Sequence, residues 1–150
     1  MADFYKIRGN NNFKKGLYAE AINDYSQAIS NNPTEAVYYT NRAICHSKLR
    51  QFRPAMEDCE RAIRCNSKSI KGFYLLGQCQ MELIDAGECH NITMKDVLAN
   101  LSVAYRLAIS EHSSFIDEIA NLIRQAKKKQ WEIRGMPLFA ISNSFKLMHS

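Results

Sequence analysis

Shifting the 150-residue sequence against itself by thirty-four positions superposes Tyr18 on Phe52, Ala21 on Ala55, Tyr25 on Cys59 and Ala28-Ile29 on Ala62-Ile63. Gly9 falls on Ala43 and, one period further, on Gly77. A fixed period of this length marks an array of stacked supersecondary units, each with an apolar face that it cannot bury alone. Stacking buries those faces in a continuous core and curves the surface into a concave groove suited to an extended peptide. Ala36-Val-Tyr-Tyr-Thr-Asn-Arg-Ala43 reads as an inner helix of such an array, with Asn41 on the groove face and Tyr39, Ala43 and Ile44 on the packing face.

Within the period, a small residue stands early in the first helix, and Ala, an aromatic, Ala and then Pro mark the second. That pattern resembles the tetratricopeptide repeat of paired antiparallel helices. The resemblance implies an all-α fold: a tetratricopeptide solenoid of three helix pairs plus a long C-terminal capping helix. The expected boundaries are three repeats in 1–112 (about 2–35, 36–69 and 70–111, the last with an inserted loop at 85–93), a capping helix at 113–134 and an irregular tail at 135–150.

Local signals agree with this division. Phe4, Ile7 and Phe13 recur at helical spacings before Gly16 supplies a turn, and Pro33 closes the second helix, with Thr34 placed to cap the third. Pro54 sits in a first helical turn, where its missing N–H has no partner to lose, and Ser67 or Ser69 caps the fifth helix. The third repeat departs from the pattern, since eight extra residues precede Met94, where the match resumes. Ser114-Phe-Ile-Asp117 predicts a capping box at the start of the last helix.

A chain of this length builds one core, leaving no room for a second catalytic domain. The net charge of +5 points to acidic partners in general. Five cysteines, an odd number without a signal peptide, fit a reducing compartment, and no run approaches the ~18 apolar residues of a membrane span. The expected location is the cytoplasm, with the nucleus as a second one. Cys45 and Cys79, one period apart in equivalent helices, both fall at inner positions, where cysteine behaves as a small hydrophobe. Neither a cofactor, a metal site nor a catalytic constellation is expected. The basic run Lys127-Lys-Lys129 leaves open a third-ranked reading, a basic scaffold for phosphate-bearing partners, but it lacks interleaved aromatics.

Lys6, Asn10, Asn41 and Lys71 stand at spacings of four, thirty-one and thirty. These residues resemble the two-carboxylate clamp of tetratricopeptide co-chaperones that grip the extreme C-terminus of heat-shock chaperones. A terminal Asp brings a main-chain and a side-chain carboxylate together, and holding both takes several N–H donors. Lysine supplies charged donors and asparagine neutral ones. A fifth position of the clamp, often Arg in this family, is Leu75 here.

That departure, with Ala36-Val-Tyr-Tyr-Thr-Asn-Arg-Ala-Ile44, Leu76-Gly-Gln-Cys-Gln80, Ala99-Asn-Leu101, Ala104-Tyr105 and Ala126-Lys-Lys-Lys129 with Trp131, resembles the CHIP (carboxyl terminus of Hsc-interacting protein) family of co-chaperone ubiquitin ligases from about Phe4 to Ile133. The likeness implies that Val37, Ile44, Tyr74, Leu75, Phe115 and Ile119 line an apolar shelf for the ligand's upstream residues, and that Glu118 is an acid of the same groove. Core packing competes as the explanation for Val37, Ile44 and Ile119. The implied function is binding of C-terminal Glu-Glu-Val-Asp tails of seventy- and ninety-kilodalton chaperones, linking their clients to ubiquitin-dependent quality control. An alternative makes the chain the substrate arm of a U-box ubiquitin ligase, with a ubiquitin-conjugating enzyme as partner only if a U-box follows. A monomer is expected, with neither nucleic acid nor membrane as partner.

Overall fold

The computed structural model describes residues 1–135. The expected tail at 135–150 lies outside the described residues apart from Gly135. Seven helices and no strand occur among the described residues: α1 Ala2–Lys14, α2 Tyr18–Asn31, α3 Ala36–Lys48, α4 Phe52–Cys65, α5 Ile70–Asp85, α6 Met94–Ser110 and α7 Ile116–Ile133. The helices pack as successive hairpins, α1 on α2, α3 on α4 and α5 on α6, each hairpin lying against the next, and α7 closes the row against α6.

The packing repeats with the sequence. Ala21, Tyr25 and Ala28 on α2, Ala55, Cys59 and Ala62 on α4, and Val97, Leu101 and Ala104 on α6 are all buried. Their spacing of four and then three residues holds them on one face of each helix. The third set stands forty-two positions after the second, which is the thirty-four-residue period plus the eight inserted residues. Each middle residue of these sets meets a small residue on the first helix of its own hairpin. A Cβ on Gly9 would approach Tyr25 Cε1 to 2.8 Å, and one on Gly77 would approach Leu101 Cδ2 to 2.7 Å. Ala43, fully buried, packs in one cluster with Cys59. Small residues at these points let the two helices of a hairpin lie close enough to exclude water.

Several helix ends differ from expectation. Glu35, with no side-chain cap, precedes α3, because the Thr34 hydroxyl donates to Asn32 Oδ1 at 3.0 Å instead of accepting from the helix. Nor does Ser114 open a capping box: Phe115 occupies the cap position of α7, and Ser113 Oγ accepts from its N–H at 3.1 Å. The capping box forms at α6, where Thr93 and Asp96 cap each other's backbone N–H groups. Ser69 caps α5 by accepting from Gly72 N at 3.0 Å. Asp85, expected in the inserted loop, ends α5, so residues 86–93 make the connection, fastened by Arg53 Nη2 donating to Glu88 O at 2.6 Å. Cys45 and Cys79 lie in different clusters. Cys45 packs with Ala21 and Tyr25, while Cys79 packs with Cys59 on the intervening α4 and lies 3.4 Å from Ser47 Oγ.

Candidate functional site

The odd-numbered helices α1, α3 and α5 together line an open pocket of about 300 Å³. Its polar lining is Asn10 and Lys14 from α1, Asn41 from α3 and Lys71 from α5, over an apolar floor of Phe13, Tyr25 and Ile44. Three of the four residues expected to bind carboxylates thus meet in one hollow although thirty or more positions separate them in sequence. Lys6, one turn before Asn10, does not line this pocket; it is half-buried, with Nζ 4.0 Å from Asp3 Oδ1.

The packing of the first hairpin orients Asn10. Tyr25, 2% exposed, reaches past Gly9, and its hydroxyl donates to Asn10 Oδ1 at 2.6 Å. That bond occupies the acceptor of the amide and leaves its NH₂ to donate into the pocket. Burial pushes the Tyr25 phenol up to about 12, with Cys45 and then Asp24 adding to it, so this donor stays protonated at neutral pH. Asn41 makes no side-chain hydrogen bond among the described residues, so both amide donors are available there. Lys14 and the two floor residues Phe13 and Tyr25 were not anticipated as site residues from the sequence. Lys14 follows Asn10 by four positions, as Lys6 precedes it by four, so both share its helix face.

The hollow continues on both sides. Lys71 also lines a neighbouring pocket of about 390 Å³ that includes Val37, which is 48% exposed, and Thr40. Ile44 also lines a pocket of about 350 Å³ with Leu75, Phe52, Lys48 and Gln78. Leu75 is 8% exposed and belongs chiefly to the core beside Ala43 and Leu76. Tyr74 and Phe115 meet edge to face at 5.3 Å. Burial and then Glu118 raise the Tyr74 phenol, which sets that exposed acid near the aromatic pair. Ile119 is fully buried against Ala104 and Ala108, and core packing rather than ligand contact accounts for it. The expected shelf residues therefore divide among two hollows, an aromatic pair and the core.

Lys129 of the basic run is tied to Asp85 Oδ1 at 2.6 Å. Among the described residues no cluster of three His, Cys, Asp or Glu side chains is placed to hold a metal ion. No described helix is long and apolar enough to cross a membrane.

Repeated helix hairpins with small-on-large contacts and a groove lined by the first helix of each hairpin define a tetratricopeptide-repeat domain. The chain is similar to the ubiquitin ligase CHIP and to the tetratricopeptide domain of Sgt2. It is 30% identical over 146 residues to the E3 ubiquitin-protein ligase CHIP of Arabidopsis thaliana, covering 89% of this chain and 46% of that protein. The Sgt2 tetratricopeptide domain from Aspergillus fumigatus superposes with a TM-score of 0.76 at 26% identity, covering 89% of this chain and 81% of that one. The first tetratricopeptide domain of Spaghetti (RPAP3), bound to the HSP90 peptide SRMEEVD, superposes with a TM-score of 0.73 at 26% identity, covering 85% and 94%. The chain spans less than half the length of the curated relatives it matches. No family model matches it.

Proposed function

We propose that this chain is a peptide-binding co-chaperone module that grips the acidic C-terminal Glu-Glu-Val-Asp tails of seventy- and ninety-kilodalton heat-shock chaperones. One observation carries the reading: Asn10, Asn41 and Lys71, from three different hairpins, line a single pocket. Neutral amides and ammonium groups lining one open hollow suit a pair of carboxylates, because each N–H can donate and none repels. Lys6 stands one helical turn outside, where it adds a longer-range attraction for the same ligand. The likeness to a domain that holds the peptide SRMEEVD supports the assignment. Charge-assisted hydrogen bonds of about 1.5 to 3 kcal/mol each, discounted for exposure, sum to the roughly 8 kcal/mol of a micromolar complex.

Titration with SRMEEVD, monitored by calorimetry, tests the proposal. Micromolar binding is expected for the free carboxylate, with a loss of tenfold or more when the C-terminus is amidated. Equal affinity for the two peptides refutes a clamp. In the cell such a module works in the cytoplasm and as a monomer.

The alignment with CHIP along 89% of this chain favours a second, narrower reading, in which the domain is the substrate arm of a ubiquitin ligase and links chaperone clients to quality control. Ubiquitin transfer and the conjugating enzyme then belong to residues other than these. Added to a reconstituted reaction of a CHIP-type ligase, the chain is expected to occupy tails and lower ubiquitination of chaperone-bound clients. Ubiquitin chains formed with this chain as sole ligase contradict it.

A further inference from the structure

We infer that Asp3 is an internal competitor for the ligand: its carboxylate engages Lys6 in the free chain and loses that lysine when an acidic tail binds. The inference rests on the carboxylate-binding reading of the pocket given above. Asp3, Lys6 and Asn10 follow one another at three and then four positions, which lines them up on one face of α1. Lys6 Nζ lies 4.0 Å from Asp3 Oδ1. The same oxygen accepts from the Tyr38 hydroxyl of α3 at 3.4 Å. Tyr38 stands three positions before Asn41, so this bond joins α1 to α3 about one turn from the asparagine that lines the pocket. A carboxylate of the chain's own thus already links two of the helices that a ligand's carboxylate would link, and already faces one of the chain's lysines.

The two contacts of Asp3 differ in firmness. Its side chain is 82% exposed and that of Lys6 36%, so water screens the ion pair and its strength is that of a surface contact. Tyr38 is buried, and burial, followed by Asp3, holds its phenol above the ordinary range, which keeps the hydroxyl a donor. Asp3 is therefore anchored to α3, while Lys6 is free to turn away from it. A tail that brings two carboxylates to the groove presents Lys6 with more acceptors than the single Asp3 oxygen, but it has to break the existing pair before it gains the lysine. Lys71, on α5, makes no ion pair among the described residues. The competition is thus confined to the α1 side of the groove, and its strength is set by one acid.

The test is fluorescence anisotropy of labelled SRMEEVD with the full chain, its Asp3→Asn, Asp3→Glu and Lys6→Ala variants, and the double variant Asp3→Asn with Lys6→Ala, each checked for unchanged helicity by circular dichroism. Asparagine keeps an oxygen for the Tyr38 hydroxyl and removes only the charge. Asp3→Asn is expected to tighten binding about threefold, and Asp3→Glu, which keeps the acid, to stay within about twofold of the unaltered chain. Lys6→Ala should cost about threefold more in the Asp3→Asn chain than in the unaltered one, as coupled groups do. Unchanged or weaker binding in Asp3→Asn overturns the inference. A gain from Asp3→Asn that is just as large without Lys6 overturns it as well, since the acid would then act on the ligand directly and not through the lysine. Either result leaves the carboxylate-binding reading standing, whereas failure of the unaltered chain to bind the peptide removes that reading and this inference together.

Discussion

Arg42 clasps Asp58 across the second hairpin with two parallel hydrogen bonds, Nε–H to Oδ2 at 2.8 Å and Nη2–H to Oδ1 at 2.6 Å. One period earlier Arg8 Nε donates to Asp24 Oδ1 at 2.7 Å, and Asn12 Nδ2 donates to Asp24 Oδ2 at 2.7 Å. In the third hairpin Asn100 stands where the period plus eight residues would put the acid, and its amide donates to Gln80 Oε1 at 3.0 Å. Each hairpin thus carries a polar tie beside its apolar seam, charged in two and neutral in the third.

These ties should differ in weight. The Arg42 and Asp58 side chains are 17% and 4% exposed, so removing the guanidinium takes both close hydrogen bonds from a buried carboxylate and leaves it only His46 Nε2 at 3.8 Å. Arg42→Ala is expected to cost about 3 kcal/mol in urea denaturation. Arg8 is 51% exposed and Asp24 keeps Asn12, so Arg8→Ala should cost about 1 kcal/mol. Equal losses would mean that exposure does not set the strength of the clasp.

Binding and stability should separate by position. Lys71→Ala and Asn41→Ala are expected to weaken SRMEEVD binding by about 1.5 kcal/mol or more each while leaving the melting temperature nearly unchanged, since neither side chain makes an intramolecular hydrogen bond or ion pair among the described residues. Ile119→Ala should do the reverse, losing about 2 to 5 kcal/mol of stability because its site is fully enclosed. If folded Ile119→Ala binds peptide markedly more weakly, the side chain reaches the ligand after all.

Gly9→Ala links the core to the groove. Alanine would favour an isolated helix by about 1 kcal/mol, but its methyl group would sit 2.8 Å from the Tyr25 ring. Displacing that ring costs about 1 to 3 kcal/mol and moves the hydroxyl that orients Asn10. The expected result is a lower melting temperature together with weaker peptide binding. A stabilised variant with full affinity would show that the ring moves at no cost.

Alkaline stability should report Tyr25. With its phenol held up to about 12 in the fold, against about 10 in the unfolded chain, the contribution is complete below pH 10 and is lost as pH rises through the folded value. Denaturation measured across this window should show Tyr25→Phe losing less stability per pH unit than the unaltered chain. Parallel profiles would assign the alkaline loss to other groups.

The core was the most legible part of the sequence because its residues repeat. Ala21, Tyr25 and Ala28 recur at helical spacing, and burial on that face follows from helix geometry alone. Asn10, Asn41 and Lys71 were legible through a family resemblance. Lys14 was not, since an exposed lysine near a helix end differs from its neighbours only by what it faces. Two of the expected caps went astray because a Ser or Thr hydroxyl has several backbone and side-chain partners within reach, and only the path of the loop selects among them. Ile119 carries the same pattern whether it lines a groove or fills a core, and packing alone assigned it to the core.

The serial order of the hairpins has a consequence for a bound ligand. α1 rests on α2, and α2 in turn on α3, so among the described helices the first hairpin has a neighbouring hairpin on one side only. A tail lying across α1, α3 and α5 would act as a splint, tying that loose end directly to the two hairpins behind it. Occupancy should then slow amide exchange most in α1 and α2 and least in α7, so that filling the groove is felt as protection against unravelling from the N-terminal end.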